Sequence, residues 1–133
     1  MNQEKFCSEL IKIAFAAMAC DGEIVDAEIK KLKEIEKADF YLKDFDLGSL
    51  LDDLMLSFPA LKMNLVDKIV AGIYFLDFNE VQRMIVMEKA IEIIKADKKI
   101  KEPEIDFVNK LQVNLQISDS IMSVRFQNWE VID

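Results

Sequence analysis

Asp21-Gly22-Glu23-Ile24-Val25-Asp26-Ala27-Glu28-Ile29 returns 76 residues later as Asp97-Lys98-Lys99-Ile100-Lys101-Glu102-Pro103-Glu104-Ile105. Asp21 falls on Asp97, Ile24 on Ile100, Glu28 on Glu104 and Ile29 on Ile105, four identities in nine positions. An amphipathic period fixes where apolar residues stand, but it does not dictate Asp or Glu at matched places. The match continues on both sides, with Ala14 on Ala90, Leu32 on Val108 and Ile35 on Leu111. Each copy reads as an apolar helix, a short acidic turn and an amphipathic helix. The expected units span about 8–35 and 84–111, and they should superpose with Ile24 and Ile100 buried as plugs between their helices.

Outward from these two turns the chain reads as helix throughout. It holds only three glycines and two prolines in 133 residues, too little turn material for an all-β fold. The first helix runs from about Glu4 to Cys20 with Phe6, Leu10, Ile13, Ala14 and Ala17 on one face. Between Leu10 and Cys20 it has a single charge, Lys12, which marks it as central. The second, about Asp26 to Asp39, turns Ile29, Leu32 and Ile35 inward and Lys30, Lys33, Glu34 and Lys37 outward. A third lies near Leu47 to Leu56, with Asp46 as N-cap. Pro59 suits the first turn of a fourth, continuing through Ile69 to Leu76. The fifth runs from about Glu80 to Ala96, with Met84, Met87, Ala90, Ile91 and Ile94 inward. The sixth starts at Glu102-Pro103 and reaches Leu115. Ser118 or Asp119 caps a seventh carrying Ile121, Met122, Phe126 and Trp129. The fold class is all-α: a compact bundle of about seven helices with two helix-turn-helix repeats, in one domain over 1–133.

Composition narrows the compartment and the partners. The longest apolar runs, Ile13 to Cys20 and Ile69 to Leu76, are eight residues each, far from the roughly 20 that a membrane helix needs. Met1-Asn2-Gln3-Glu4 does not lead from a basic region into an apolar one, so no secretory leader is expected. Cys7 and Cys20 on one helix stand roughly 19 Å apart, beyond disulfide reach. A reduced, cytoplasmic protein follows. A net charge of -8 opposes binding to nucleic acid, which needs a basic footprint. The lysine groups 30, 31, 33, 37 and 95, 98, 99, 101 are interleaved with acids.

Catalysis is poorly served. There is no histidine, which removes the commonest general base and a common zinc ligand. Cys20 stands beside Asp21 and near Glu23, which opposes thiolate formation. Gly22, Gly48 and Gly72 are too scattered for a phosphate loop. No nucleophile and base can be paired, so the chain is expected not to be an enzyme; hydrolysis by carboxylate-held metal is the one route left. Asp21-Gly22-Glu23-Ile24 followed by Glu28 also matches the latter half of an EF-hand loop. The earlier ligand positions would be Ala17 and Ala19, or Ile93 and Lys95 in the second copy, and none of these supplies a side-chain oxygen.

The paired segments Ala19-Cys20-Asp21-Gly22-Glu23-Ile24 with Glu28, and Lys95-Ala96-Asp97-Lys98-Lys99-Ile100 with Glu104, resemble the Ala-Asp-Gly-x-Ile-x-x-x-Glu motifs of the TerB family. That family takes in tellurite-resistance TerB and a related domain at the front of some membrane-anchored J-domain co-chaperones. The resemblance covers nearly the whole chain, down to a closing Leu-x-Ile-Ser at Leu115 to Ser118. It implies about seven helices in pseudo-twofold halves, an acidic cluster that binds divalent metal, and a role in bacterial stress, with no known reaction. Two departures stand out. Lys98 replaces the motif glycine, which makes a left-handed backbone there costly, and Lys99 adds charge beside Asp97.

Asp21, Glu28, Asp97 and Glu104 are therefore the candidate metal ligands, an oxygen-only set suited to Mg²⁺ or Ca²⁺. Their local explanation is helix capping, since a carboxylate in a first helical turn is favoured by the dipole. Convergence of the two loops distinguishes the readings, and Lys98 and Lys99 are candidate neutralising charges. The functional expectation is a non-catalytic acidic binding module of a tellurite-resistance-like system, holding a protein partner and a divalent cation; a homodimer is compatible with it. The alternative is an adaptor acting with a separate J-domain or chaperone protein. The chain lacks the histidine of a J-domain's His-Pro-Asp triplet. The methionines 18, 55, 63, 84, 87 and 122 are assigned to the core rather than to a docking face.

Overall fold

The computed structural model describes residues 1–39 and 42–131; Phe40, Tyr41, Ile132 and Asp133, part of the expected domain 1–133, lie outside the described residues. Seven α-helices and no strand occur among the described residues: α1 Gln3–Ala19, α2 Asp26–Ala38, α3 Leu47–Leu61, α4 Met63–Ile73, α5 Glu80–Ile94, α6 Glu102–Asn114 and α7 Asp119–Arg125. A short 3-10 turn, Lys95–Asp97, extends α5.

The near absence of charge in α1 makes it the axis. Asn2 opens it, its side chain accepting the Lys5 N–H at 2.8 Å. All of Phe6, Leu10, Ile13, Ala14 and Ala17 are buried, as are Ile11, Phe15, Ala16, Met18 and Ala19 on its other faces. A helix that is apolar all round must be enclosed, and α1 packs against α2, α3, α4 and α5. Its alanines let backbones come close where α5 lies alongside. On α5 the expected inward residues Met84, Met87, Ala90, Ile91 and Ile94 are all buried. The sixth helix buries Phe107, Val108 and Leu111 and packs against α4 and α5. The second is amphipathic as read, with Leu32 and Ile35 buried and Lys30, Lys33, Glu34 and Lys37 exposed, although Ile29 is only half-buried. Cys7 and Cys20 are buried thiols without a disulfide.

Three boundaries differ from the sequence reading. Pro59 does not open the fourth helix; it sits in the last turn of α3, which runs on to Leu61. A proline there forgoes one helical N–H bond, to the carbonyl four residues back, with only Ala60 and Leu61 left in the helix. The chain reverses at Lys62, with φ of 50°, whose N–H caps the Phe58 carbonyl at 2.7 Å. The fourth helix then stops at Ile73, short of Leu76, and Tyr74 and Phe75 beyond it are exposed. The seventh ends at Arg125, so Trp129 is not on it; Phe126 caps it, and both rings are half-buried against the core. Among the methionines, 18, 84 and 87 are buried, 122 is half-buried, and 55 and 63 are exposed.

Candidate functional site

The two acidic turns are built by the same hydrogen bonds. Asp21 Oδ1 accepts the Glu23 N–H at 3.0 Å, and Asp97 Oδ1 accepts the Lys99 N–H at 3.1 Å. This Asp-turn bond is what an aspartate at the end of a helix does readily. Glu28 Oε1 accepts the Val25 N–H at 3.3 Å, and Glu104 Oε1 accepts the Lys101 N–H at 2.8 Å. Each glutamate thus bonds back to the residue that precedes its own helix, one half of a capping box. The turns close alike, by Gly22 N–H to the Ala19 carbonyl at 2.9 Å and Lys98 N–H to the Lys95 carbonyl at 3.0 Å. Ile24 and Ile100 follow, both half-buried against the core rather than fully enclosed plugs.

That closure needs a left-handed residue. Gly22 adopts φ of 89° without cost, whereas Lys98 is forced to 61°. The strain anticipated from the missing glycine is present. A left-handed L-residue costs about 1–2 kcal/mol, partly offset by the entropy that glycine adds to the unfolded chain. Lys98→Gly should therefore raise stability by roughly 0.5–1 kcal/mol, read as a higher denaturant midpoint at unchanged slope.

The two turns share one electrostatic neighbourhood. Lys101, at the start of α6, reaches across to the other turn and places Nζ 3.0 Å from Asp21 Oδ2. Burial pushes the Glu28 carboxyl up to about 8; its bond from Val25 opposes this, and Glu104, Asp21 and Asp97 add to it. Glu104 is raised as well, first by burial, with the Lys101 N–H opposing and Asp21 and Asp97 adding. Glu28 and Glu104 are 3% and 2% exposed, so water does little to screen the repulsion. The Cys20 thiol lies in the same field. Burial first, then Glu104, Asp21 and Glu28, push it above its ordinary value, so it stays a protonated thiol at neutral pH.

All four nominated carboxylates thus belong to one junction, although no three Asp, Glu or Cys side chains among the described residues are disposed to hold one metal ion. The charge set against them was misassigned in the sequence. Lys98 and Lys99 are exposed, while Lys101 makes the ion pair. A lysine just before the first turn of α6 is the signal that was there to be used, because its side chain leaves the helix end toward the neighbouring turn. Its counterpart in the first copy is Val25, which carries no charge.

A sequence-family model described as Tellurite resistance protein TerB matches residues 8–124, which includes both turns and all four carboxylates. No curated protein and no solved structure matches the chain.

Proposed function

Because the chain belongs to the tellurite resistance protein TerB family, we propose that it is a non-catalytic binding module of a tellurite-resistance-like stress response. In this reading it works in the cytoplasm, holds a protein partner, and takes a hard divalent cation at the carboxylate junction. One observation carries the cation reading: the junction is short of positive charge. Lys101 pairs with Asp21, and the Glu28 carboxyl is pushed up to about 8, by burial first and then by Glu104, Asp21 and Asp97. The donor chemistry fits Mg²⁺ or Ca²⁺, since Asp21, Glu28, Asp97 and Glu104 offer only oxygen. Each commits one oxygen to a backbone N–H and has a second. A bound cation would supply the missing charge and tie the two turns together. The absence of histidine and the protonated state of Cys20 support a binding role over catalysis.

Isothermal titration with Mg²⁺, Ca²⁺ and Mn²⁺ tests the junction. Binding should release protons between pH 7 and 8, because a cation lowers a carboxyl held near 8. That release appears as a heat that varies with the ionisation enthalpy of the buffer. Asp21→Ala should abolish the signal, and a flat titration of the unaltered chain retires the cation reading.

A second reading, an adaptor beside a separate J-domain or chaperone protein, draws on a different surface. Tyr74 and Phe75 form an edge-to-face pair with centroids 5.4 Å apart and stay 58% and 83% exposed at the end of α4. Exposed aromatic residues are enriched where proteins dock. Binding through this pair would survive Asp21→Ala and be lost in a Tyr74→Ser, Phe75→Ser double variant.

A further inference from the structure

We infer that α4 carries a docking seam on its open flank, and that its occupant is an amphipathic helix of a partner protein with an acidic edge. This rests on the protein-partner reading above and adds where the partner docks and what it must carry. α4 has two apolar stripes. Val66, Val70 and Ile73 are buried in the bundle. Beside them Leu65, Ile69 and Gly72 stand four and three residues apart, and Leu76 follows in the turn after the helix. With Leu54 of α3 these four line an open groove of about 300 Å³. Leu65, Ile69 and Leu76 are only half-buried, and Gly72 is exposed. Apolar residues at this spacing are what a second helix packs against, its own ridge entering the groove. Gly72 points the same way. Glycine weakens a helix, yet its backbone here is not left-handed, and an added methyl group would meet no neighbour within 4 Å. The bundle has no steric use for a glycine at this place, whereas a helix lying in the groove requires its floor to stay low.

The rim sets the charge of the occupant. Glu9, Lys12 and Lys68 are the charged residues of the lining, and Asp67 and Asp77 are not part of it. Glu9 is already shared by Lys5 at 3.0 Å and Lys12 at 3.4 Å. Lys68 makes no ion pair among the described residues. Three ammonium groups against one carboxylate leave an excess of positive charge along an apolar groove, on a chain whose net charge is -8. A second copy on the same seam would bring more lysines to that rim, whereas an acidic helix brings the missing charge.

The probes are two helical peptides of about 18 residues, roughly 27 Å long, stapled so that the helix is formed before binding. Both carry a leucine stripe at four-and-three spacing, edged with glutamates in one and with lysines in the other. Fluorescence anisotropy titrates them with the unaltered chain, Gly72→Leu, Lys68→Glu and the Tyr74→Ser, Phe75→Ser double variant, each verified as folded by circular dichroism and melting. The glutamate peptide should bind the unaltered chain at least about tenfold more tightly than the lysine peptide, although the net charge of the chain favours the lysine one. Gly72→Leu should weaken it at least about tenfold by filling the groove, and Lys68→Glu by about three- to tenfold. Equal or tighter binding of the lysine peptide overturns the acidic occupant. Glutamate-peptide binding that neither Gly72→Leu nor Lys68→Glu changes overturns the groove; if the aromatic double variant alone abolishes it, the partner reading stands at Tyr74 and Phe75. No binding of either peptide at about 1 mM overturns the groove and leaves the partner reading with that pair. Self-association in sedimentation that Gly72→Leu removes would put a second copy in the groove and overturn the partner helix. Lys68 is exposed, so Lys68→Glu keeps the test decisive should Gly72→Leu not fold.

Discussion

Glu28→Gln should stabilise the protein at pH 8 by about 3 kcal/mol and flatten its stability between about pH 5 and pH 8. The sign follows from the carboxyl being raised from 4.5 in the unfolded chain to about 8 in the folded one. Below about pH 4.5 both states carry the proton, and the full stability is present. Between the two values the unfolded chain releases a proton that the folded chain retains, so the unfolded state binds fewer protons and unfolding becomes easier as pH rises. The slope is at most roughly 1.4 kcal/mol per pH unit for one such group, and it levels off above about pH 8. Glu104 is raised too and acts in the same direction. Glutamine resembles the protonated acid: its carbonyl oxygen can accept the Val25 N–H as Glu28 does, with no charge to repel Glu104, Asp21 and Asp97. Urea denaturation at half-unit steps from pH 5 to 8.5 measures both curves. If the unaltered chain becomes more stable across that range, the junction does not repel as described. A saturating divalent cation should reduce the slope of the unaltered chain and leave that of Glu28→Gln nearly unchanged. This couples the stability measurement to the calorimetric one.

The parts of this arrangement that were legible in the sequence are those fixed by local chemistry. Asp46 caps α3, accepting the Ser49 N–H at 3.1 Å, and Ser118 caps α7, accepting the Ile121 N–H at 3.2 Å. A short acceptor before an apolar period has few other uses. The recurrence of Asp and Glu at offset 76 marked the two turns, and the same bonds close both. Tertiary placement was less legible. Pro59 fits a first helical turn, where N–H groups have no helical partner, and nothing local shows that α3 instead runs through it to Leu61 with Phe58 packed against Phe15. Trp129 keeps a helical spacing from Phe126 but lies beyond the helix, because Phe126 already has non-helical angles, φ -124° and ψ 33°. Lys101 was hidden for another reason. Charge counting ranked Lys98 and Lys99 first because they adjoin Asp97, but adjacency along the chain says nothing about reach across to the other turn. The left-handed turn at Lys98 is followed by exposed Lys99, while Lys101 faces Asp21.

Phe15→Ala should destabilise the fold by about 3–5 kcal/mol, a large share of the roughly 5–15 kcal/mol that holds a domain together. Phe15 is 0% exposed on α1 and meets Phe58 of α3 edge to face, with centroids 5.9 Å apart. The substitution removes the buried ring, the aromatic contact and the packing around both. It leaves a cavity that the surroundings cannot close, since α1 is held by neighbouring helices on several sides. Phe15→Leu fills most of that space and should cost less, about 1–2 kcal/mol. Phe75→Ala provides the contrast, because Phe75 is 83% exposed and its loss should stay within about 0.5 kcal/mol. Guanidinium denaturation of the three variants at constant slope measures these costs, and equal losses for Phe15→Ala and Phe75→Ala would reject α1 as the enclosed axis. The series also separates stability from binding. Phe15 lies on the helix that leads into the Asp21 turn but none of the junction's hydrogen bonds depends on its ring. Folded Phe15→Ala at low temperature should therefore keep the cation affinity of the unaltered chain, whereas Asp21→Ala should lose that affinity with little cost to the core.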